Sequence, residues 1–291
     1  MSIELEFPSI LEATERASAE AQKSFFRVTG GSFAVLALAS MVSLFPVTGM
    51  IATVTSIIGV LFFLLVILIQ VSNVKGSQEQ KWYEARAASE SIKTAAWEFS
   101  VGGEAYRIGD EEAEERFRNS LREILSELRT LDVGSDGAKL SAVTPSMLTL
   151  RKSNRSLRES VYLEQRVQDQ VAWYSKKAKF NKRKQRCFYI LVILVEAIAV
   201  IFGLLRIAGM IEVDLLSPIA AIAAGLIGWM QAKNYSNLSA AYAVTSHEVA
   251  MVPKTLSAES SEEVWAQAVH DAEAAFSREH TMWLARRQGP V

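Results

Sequence analysis

The sequence predicts an all-α membrane protein: four transmembrane helices as two hairpins in a parallel tandem repeat, with long cytosolic helices forming a bundle. Three observations carry this reading. The 291 residues are 50% hydrophobic and 22% charged, and the two populations are segregated. Residues 33–71 and 197–205 hold no charged side chain, while Lys, Arg, Asp and Glu crowd the remainder. The apolar runs come in pairs joined by short turns, and the chain superposes on itself after a shift of 158 residues.

Crossing about 30 Å of hydrocarbon takes roughly 20 apolar residues. Ser32–Val47 is slightly short and Met50–Val71 is full length, with Pro46, Thr48 and Gly49 marking the turn between them. Cys187–Leu205 is the third run and Ile211–Met230 the fourth, joined through Arg206, Glu212 and Asp214. A soluble core helix explains any one run; four in paired hairpins fit a bilayer better. Residues 1–22 hold five Glu and one Arg, unlike the basic start of a secretory signal, so the first run is expected to stay in the protein. The single Cys187 excludes an intrachain disulfide and reads as a small hydrophobe at the edge of a span.

Orientation follows from basic residues in short flanks. Lys23 and Arg27 precede the first run, Lys75 and Lys81 follow the second, and Lys176, Lys177, Lys179, Lys182, Arg183, Lys184 and Arg186 precede the third. The opposite turns hold only Arg206. Both hairpins are therefore expected to enter from the cytoplasm and return, leaving both termini cytoplasmic in a multi-pass protein. Residues 151–186 carry twelve Lys and Arg against three acids. Abutting a span, such a run reads as an anchor on anionic headgroups rather than a nucleic-acid contact.

The repeat sets the domains: 1–135, a linker at 136–150, and 151–291. Phe33–Gly49 falls on Leu191–Ile207 and Met50–Val71 on Ala208–Trp229. At a shift of 159, AEERFRNSLREILSELR meets AEAAFSREHTMWLARRQ, with Ala113/Ala272, Glu114/Glu273 and Phe117/Phe276 coinciding. Each half holds two spans, so both copies face the same way. Within 111–131, Ala113, Phe117, Leu121, Ile124, Leu125, Leu128 and Leu131 keep the spacing of one helix face, and Asp110, Glu111 and Glu112 load its N-terminal end. Breaks fall at VGG (101–103), at DVGSDG (132–137) and near Pro145. No strand alternation persists.

Two stripes share one pattern. Trp82, Arg86, Glu90, Lys93 and Trp97, and Tyr162, Arg166, Gln170, Trp173 and Lys177, both step by 4, 4, 3 and 4, one helix face each. Mixed aromatic and charged residues suit a partly wet helix contact, with Arg stacking on rings. The alternatives are an interface without ligand and a site for a small anionic ligand or partner. Both stripes are expected in one cytosolic bundle built from both repeats, with Trp82 and Tyr162 coupled if they share an interface and additive if they lie on separate surfaces.

The runs WYEARAASESIKTAAWEFSVGG, YLEQRVQDQVAWYSKKAKFNKRKQR and FSREHTMWLARR, the last holding Phe276, Arg278, Glu279, His280, Trp283 and Arg286, together resemble the SLATT family. These are bacterial two-transmembrane domains found beside second-messenger nucleotide synthetases and nucleotide-sensing domains. The resemblance covers about Ala17 to Arg287 as a tandem pair. It implies an effector of an antiviral conflict system in the bacterial inner membrane, perforating or depolarising it on a nucleotide signal or a sensor partner; four helices about 10 Å across pack without a generous channel, so a pore is expected to need a homo-oligomer. A non-conducting scaffold whose bundle recruits a partner is the other class.

Enzymatic signatures are missing. His247, His270 and His280 lack metal-ligand spacing, and the GG pairs at 30–31 and 102–103 lack a phosphate-loop setting. No cofactor or metal is expected. Within VILVEAIAVIFGLL the one acid, Glu196, sits ten residues into the third run, where insertion of a charge costs roughly 2.5–3.5 kcal/mol. Two readings stay open: a buried interhelical hydrogen bond, or a position on an ion path between copies. The rows Ser217, Ala221, Gly225 and Ala220, Ala224, Gly228 permit close helix approach within the second hairpin.

Overall fold

The computed structural model describes residues 3–42, 44, 48–72, 74–128, 142–255 and 261–288, without the side chains of 127, 252–255 and 277–288. Among the described residues the chain is helical, without strands. In order come α1 (Ser9–Val42), α2 (Gly49–Val71), α3 (Val74–Val101), α4 (Ala113–Glu127), α5 (Pro145–Arg151), α6 (Arg155–Tyr162), α7 (Asp169–Ile207), α8 (Leu216–Lys233), α9 (Tyr235–Thr255) and α10 (Glu262–Gln288). A 3₁₀ turn occupies Glu104–Tyr106, and a π-helical turn, Leu163–Gln168, joins α6 to α7.

Three helical stretches are long and apolar enough to cross a membrane: α1, α2 and the continuous Arg155–Ile207. In α2 only Val66 is buried, and Ile57, Leu61, Leu64 and Leu68 are exposed. A helix apolar on all sides and covered on one is solvated by lipid, not water. Val42 closes α1; residues 43 and 45–47 of the first expected span, Pro46 included, lie outside the described residues.

The fourth run needs correction. Its helix starts at Leu216, not Ile211, because Asp214 is engaged in the turn: it pairs with Arg206 at 2.9 Å and accepts from Ser217 Oγ at 3.0 Å. The resulting 18-residue helix ends through Gln231 and Lys233 and is not among the three stretches long and apolar enough to cross.

The chain divides into two compact units, neither coinciding with a sequence half. One, the core unit, comprises residues 1–21, 80–178 and 240–291; the other, the span unit, comprises 22–79 and 179–239. Within the span unit the small residues of α8 serve a different neighbour from the one expected. Phe33 of α1 lies over Gly225 and Gly228, where an added Cβ would meet Phe33 atoms at 3.5 and 2.6 Å. The missing side chains make the slot that the ring fills. Toward α7 the contact is looser, a Cβ at Gly203 lying 3.8 Å from Leu216.

The core unit buries Ile92, Phe99, Phe117, Met147, Leu150, Tyr162, Trp265, Val269 and Phe276 in one cluster. The amphipathic helix expected at 111–131 is α4, with Ala113, Phe117 and Leu121 inward; Leu131 and DVGSDG lie outside the described residues. Part of the expected linker is built into the fold. Thr144 accepts from the Met147 N–H at 3.3 Å and donates to the Glu6 carbonyl at 2.8 Å, and Met147 and Leu150 are fully buried.

Candidate functional site

The core unit is organised around a carboxylate. Glu273 on α10 is fully buried and receives four hydrogen bonds. Arg166 gives two, Nε to Oε1 at 2.9 Å and Nη2 to Oε2 at 2.7 Å; Tyr162 Oη donates to Oε1 at 3.0 Å and Thr94 Oγ1 to Oε2 at 2.9 Å. The guanidinium also stacks on Phe276, 4.8 Å from the ring centroid. Three segments supply these groups: α3, the stretch through the π turn, and α10. Burial by itself lowers the Arg166 pKa, but the Glu273 carboxylate outweighs it and holds the guanidinium above its usual value. Burial, and then the Glu273 charge, push the Tyr162 phenol well above its usual range.

A second buried acid is less well served. Glu98 on α3 is 5% exposed; its Oε1 meets His270 Nδ1 of α10 at 3.1 Å, and Oε2 has no hydrogen-bond partner among the described residues. Burial pushes the Glu98 carboxyl above the usual carboxylate range, against the opposing effect of His270, and the nearby Glu273 adds to the rise. A folded state that holds a proton more tightly than the unfolded chain is favoured at low pH. This contribution is therefore complete below the ordinary value of 4.5 and is lost as pH climbs through the raised folded value. Glu98→Gln should abolish that loss, so its melting temperature in detergent should gain on the wild type as pH rises from 4.5 toward neutrality. A constant gap across that range would contradict the assignment.

The end of α3 is held by arginines. Arg151 donates through Nη1 to the Phe99 and Tyr106 carbonyls and through Nη2 to that of Arg107, each at 2.7 Å. Arg158 Nη1 and Trp265 Nε1 both donate to the Val101 carbonyl, at 2.7 and 2.8 Å, and Arg158 pairs with Glu262 at 2.6 Å. Cations suit the carbonyl-rich end of a helix. The break expected at VGG follows: Gly102 adopts φ +80°, and a Cβ there would stand 2.6 Å from Ile108 Cγ1.

The two stripes meet at the Trp97 end, and the Glu90 charge of the first also acts on Arg166 of the second. Trp97 contacts Tyr162 edge to face at 5.7 Å, and Tyr162 in turn contacts Trp265 at 6.0 Å. Trp82 stacks on Tyr83 at 4.5 Å. On α3 the buried face is Ala85, Ala88, Ser89, Ile92 and Ala96, with Arg86, Glu90 and Lys93 flanking it half-buried. Lys93 pairs with Glu15 at 3.1 Å and with Glu90 at 3.6 Å, and Arg86 with Glu90 at 3.9 Å. The second stripe is not a single face. The π turn inserts extra residue per turn, so after Tyr162 and Arg166 the inward side passes to Tyr174, leaving Gln170 and Trp173 half-buried and Lys177 exposed over the Trp173 ring at 5.5 Å. A double-mutant cycle should therefore show coupling of about 0.5–1.5 kcal/mol between Trp97→Ala and Tyr162→Ala, and additivity for Trp82→Ala with Tyr162→Ala. The reverse result would restore the sequence-based register.

Glu196 is exposed on α7 and makes no hydrogen bond or ion pair among the described residues. One turn away on one side lie buried Val192 and Ala199, on the other exposed Ile193 and Val200. The carboxylate thus sits at the rim of the packed face, not inside it. Lys176, Lys177, Lys179, Lys182, Arg183, Lys184 and Arg186 are all exposed along α7. Of the C-terminal motif, Phe276 is buried in the core; Arg278, Glu279, His280, Trp283 and Arg286 lie on α10, with side chains outside the described residues. Glu98, Glu273, His270, Trp265 and Arg158 escaped sequence reasoning. The coincidence of Glu114 with Glu273 between the halves was the available signal, although Glu114 itself is an exposed partner of Arg118.

Two family models match the chain. One, described as SMODS and SLOG-associating 2TM effector domain 3, covers residues 8–159; the other, described as SMODS and SLOG-associating 2TM effector domain 1, covers 162–283. No curated protein and no solved structure matches.

Proposed function

Because the chain belongs to the SLATT family, as two SMODS and SLOG-associating 2TM effector domains in tandem, we propose that it is a bacterial conflict-system effector that assembles in the inner membrane and depolarises the cell. The proposed activity is conduction and not catalysis. Two 2TM domains support four spans with α8 as the fourth, and the basic flanks support a cytoplasmic core unit and cytoplasmic termini.

The observation that carries this reading is the exposed Glu196 in the middle of an apolar helix. A carboxylate facing lipid at that depth is expensive, and no group among the described residues of its own chain satisfies it. Water in a path between copies, or the same region of a neighbouring copy, supplies the missing partner. Helices about 10 Å across leave no channel within one four-helix chain, which favours a homo-oligomer. The trigger is proposed to be a nucleotide signal relayed by a partner. The stripe cations Arg86, Lys93 and Arg166 are already paired within the core unit, which favours relay over direct capture of an anion there.

Induced expression in bacteria with a membrane-potential dye tests the proposal. Depolarisation with growth arrest is expected once the partner genes are supplied. Insertion without either effect under those conditions would favour the non-conducting scaffold.

A further inference from the structure

We propose that the groove between α1 and α8 is a site for one anionic phospholipid, its acyl chain against the apolar wall and its phosphate at Lys233. The groove, about 250 Å³, is lined by Gly30, Phe33, Ala34, Ala37, Gly225 and Trp229 among others, all within the span unit. It exists because small residues, Gly30, Ala34, Ala37 and Ala221, line it, and a Cβ at Gly30 would lie 3.3 Å from the Trp229 ring. It is open along its length, so a chain enters from the bilayer without threading.

Charge identifies the occupant. Lys233 Nζ stands 3.2 Å from the Phe26 ring centroid and 5.0 Å from that of Trp229, and the two rings meet edge to face at 5.7 Å. The lysine has no carboxylate partner among the described residues. Lys23 and Arg27, on the turns of α1 preceding Gly30, are exposed and likewise without an ion pair there. Residues 22–78 and 215–247 contain no Asp or Glu, although Glu20 of α1 stands three residues before Lys23. The end of α8 does not need the lysine as a cap: Asn234, left-handed at φ 52°, returns its N–H to the Met230 and Gln231 carbonyls. Three cations beside an apolar groove, with aromatic rings at the junction, match a phosphodiester carrying an acyl tail; basic pockets between spans bind such headgroups. The site is distinct from the exposed run on α7 and does not depend on conduction.

Native mass spectrometry of the detergent-purified full chain tests this, titrating phosphatidylglycerol, phosphatidylethanolamine of the same acyl chains, and glycerol phosphate. The wild type should retain one phosphatidylglycerol per chain in preference to phosphatidylethanolamine and should not retain glycerol phosphate. Lys233→Gln should weaken phosphatidylglycerol about five- to tenfold, and Ala34→Phe, which fills the groove from an exposed position, should weaken it without altering charge. Arg122→Gln, an exposed cation of α4 outside the basic run, should leave it unchanged. Melting curves of the variants establish folding, and Ala34→Phe alone decides if Lys233→Gln fails to fold. Equal retention of both lipids, or unchanged retention in Ala34→Phe, would mean annular lipid only and overturn the site. Glycerol phosphate binding as tightly as the lipid would make it a phosphate site instead.

Discussion

Glu196→Leu should abolish depolarisation and growth arrest while the protein still accumulates in the membrane. Leucine removes the roughly 2.5–3.5 kcal/mol insertion cost of the acid and extends the exposed apolar surface of Ile193 and Val200, so the variant should insert at least as well as the wild type. Glu196→Gln keeps the shape and the hydrogen-bonding capacity without the charge. If the carboxylate lines a conducting path, Gln should retain arrest but change ion preference, whereas Leu should lose it. Full activity in Leu would move the path elsewhere. Loss of the protein in both would point to a hydrogen bond formed with a neighbouring copy during assembly.

The second large effect belongs to the core unit. Glu273→Leu leaves the Arg166 guanidinium buried and unpaired, and the Tyr162 hydroxyl and Thr94 lose their acceptor. Breaking such a pair costs about 3–5 kcal/mol, a large share of the roughly 5–15 kcal/mol that holds a domain together. Arg166→Met alone should be comparably harmful, because it strands a fully buried carboxylate. The double variant, Arg166→Met with Glu273→Leu, should recover most of the loss, since apolar replacements of both partners remove the desolvation penalty together. Denaturant or thermal unfolding in detergent measures all three. If the double is no better than either single, the pair is not the buried unit described.

Much of the fold was readable because bilayer and helix periodicity leave strong marks on a sequence. Uncharged runs of span length fixed α1, α2 and α7, the amphipathic spacing from Ala113 fixed α4, and Gly102 fixed the end of α3. The start of α8 was misread because a polar turn and the first turn of a helix look alike in composition; the Arg206–Asp214 pair spans that turn, and no helical spacing of three or four announces it. The second stripe was misread because counting by three and four assumes unbroken α periodicity, and the π turn at 163–168 shifts the face. Arg166 was legible as a candidate, but its partner was not. A buried acid such as Glu273, some hundred residues later in the chain, has no local spacing to give it away. Nor does sequence show that Phe33 fills the glycine slot of the other half, which rests on how two distant helices meet.

Crosslinking between copies at α7 tests the central claim most directly. In a Cys187→Ser background that keeps Glu196, Val200→Cys lies one turn along on the same side, and Leu194→Cys lies across the helix; the two sites are 60% and 55% exposed, so both are open to reagent. If copies meet around the carboxylate, oxidation in native membranes should give a covalent dimer through position 200 and little through 194. Equal yields at both positions, or monomer alone at 200, would contradict the assembly on which the proposed ion path depends.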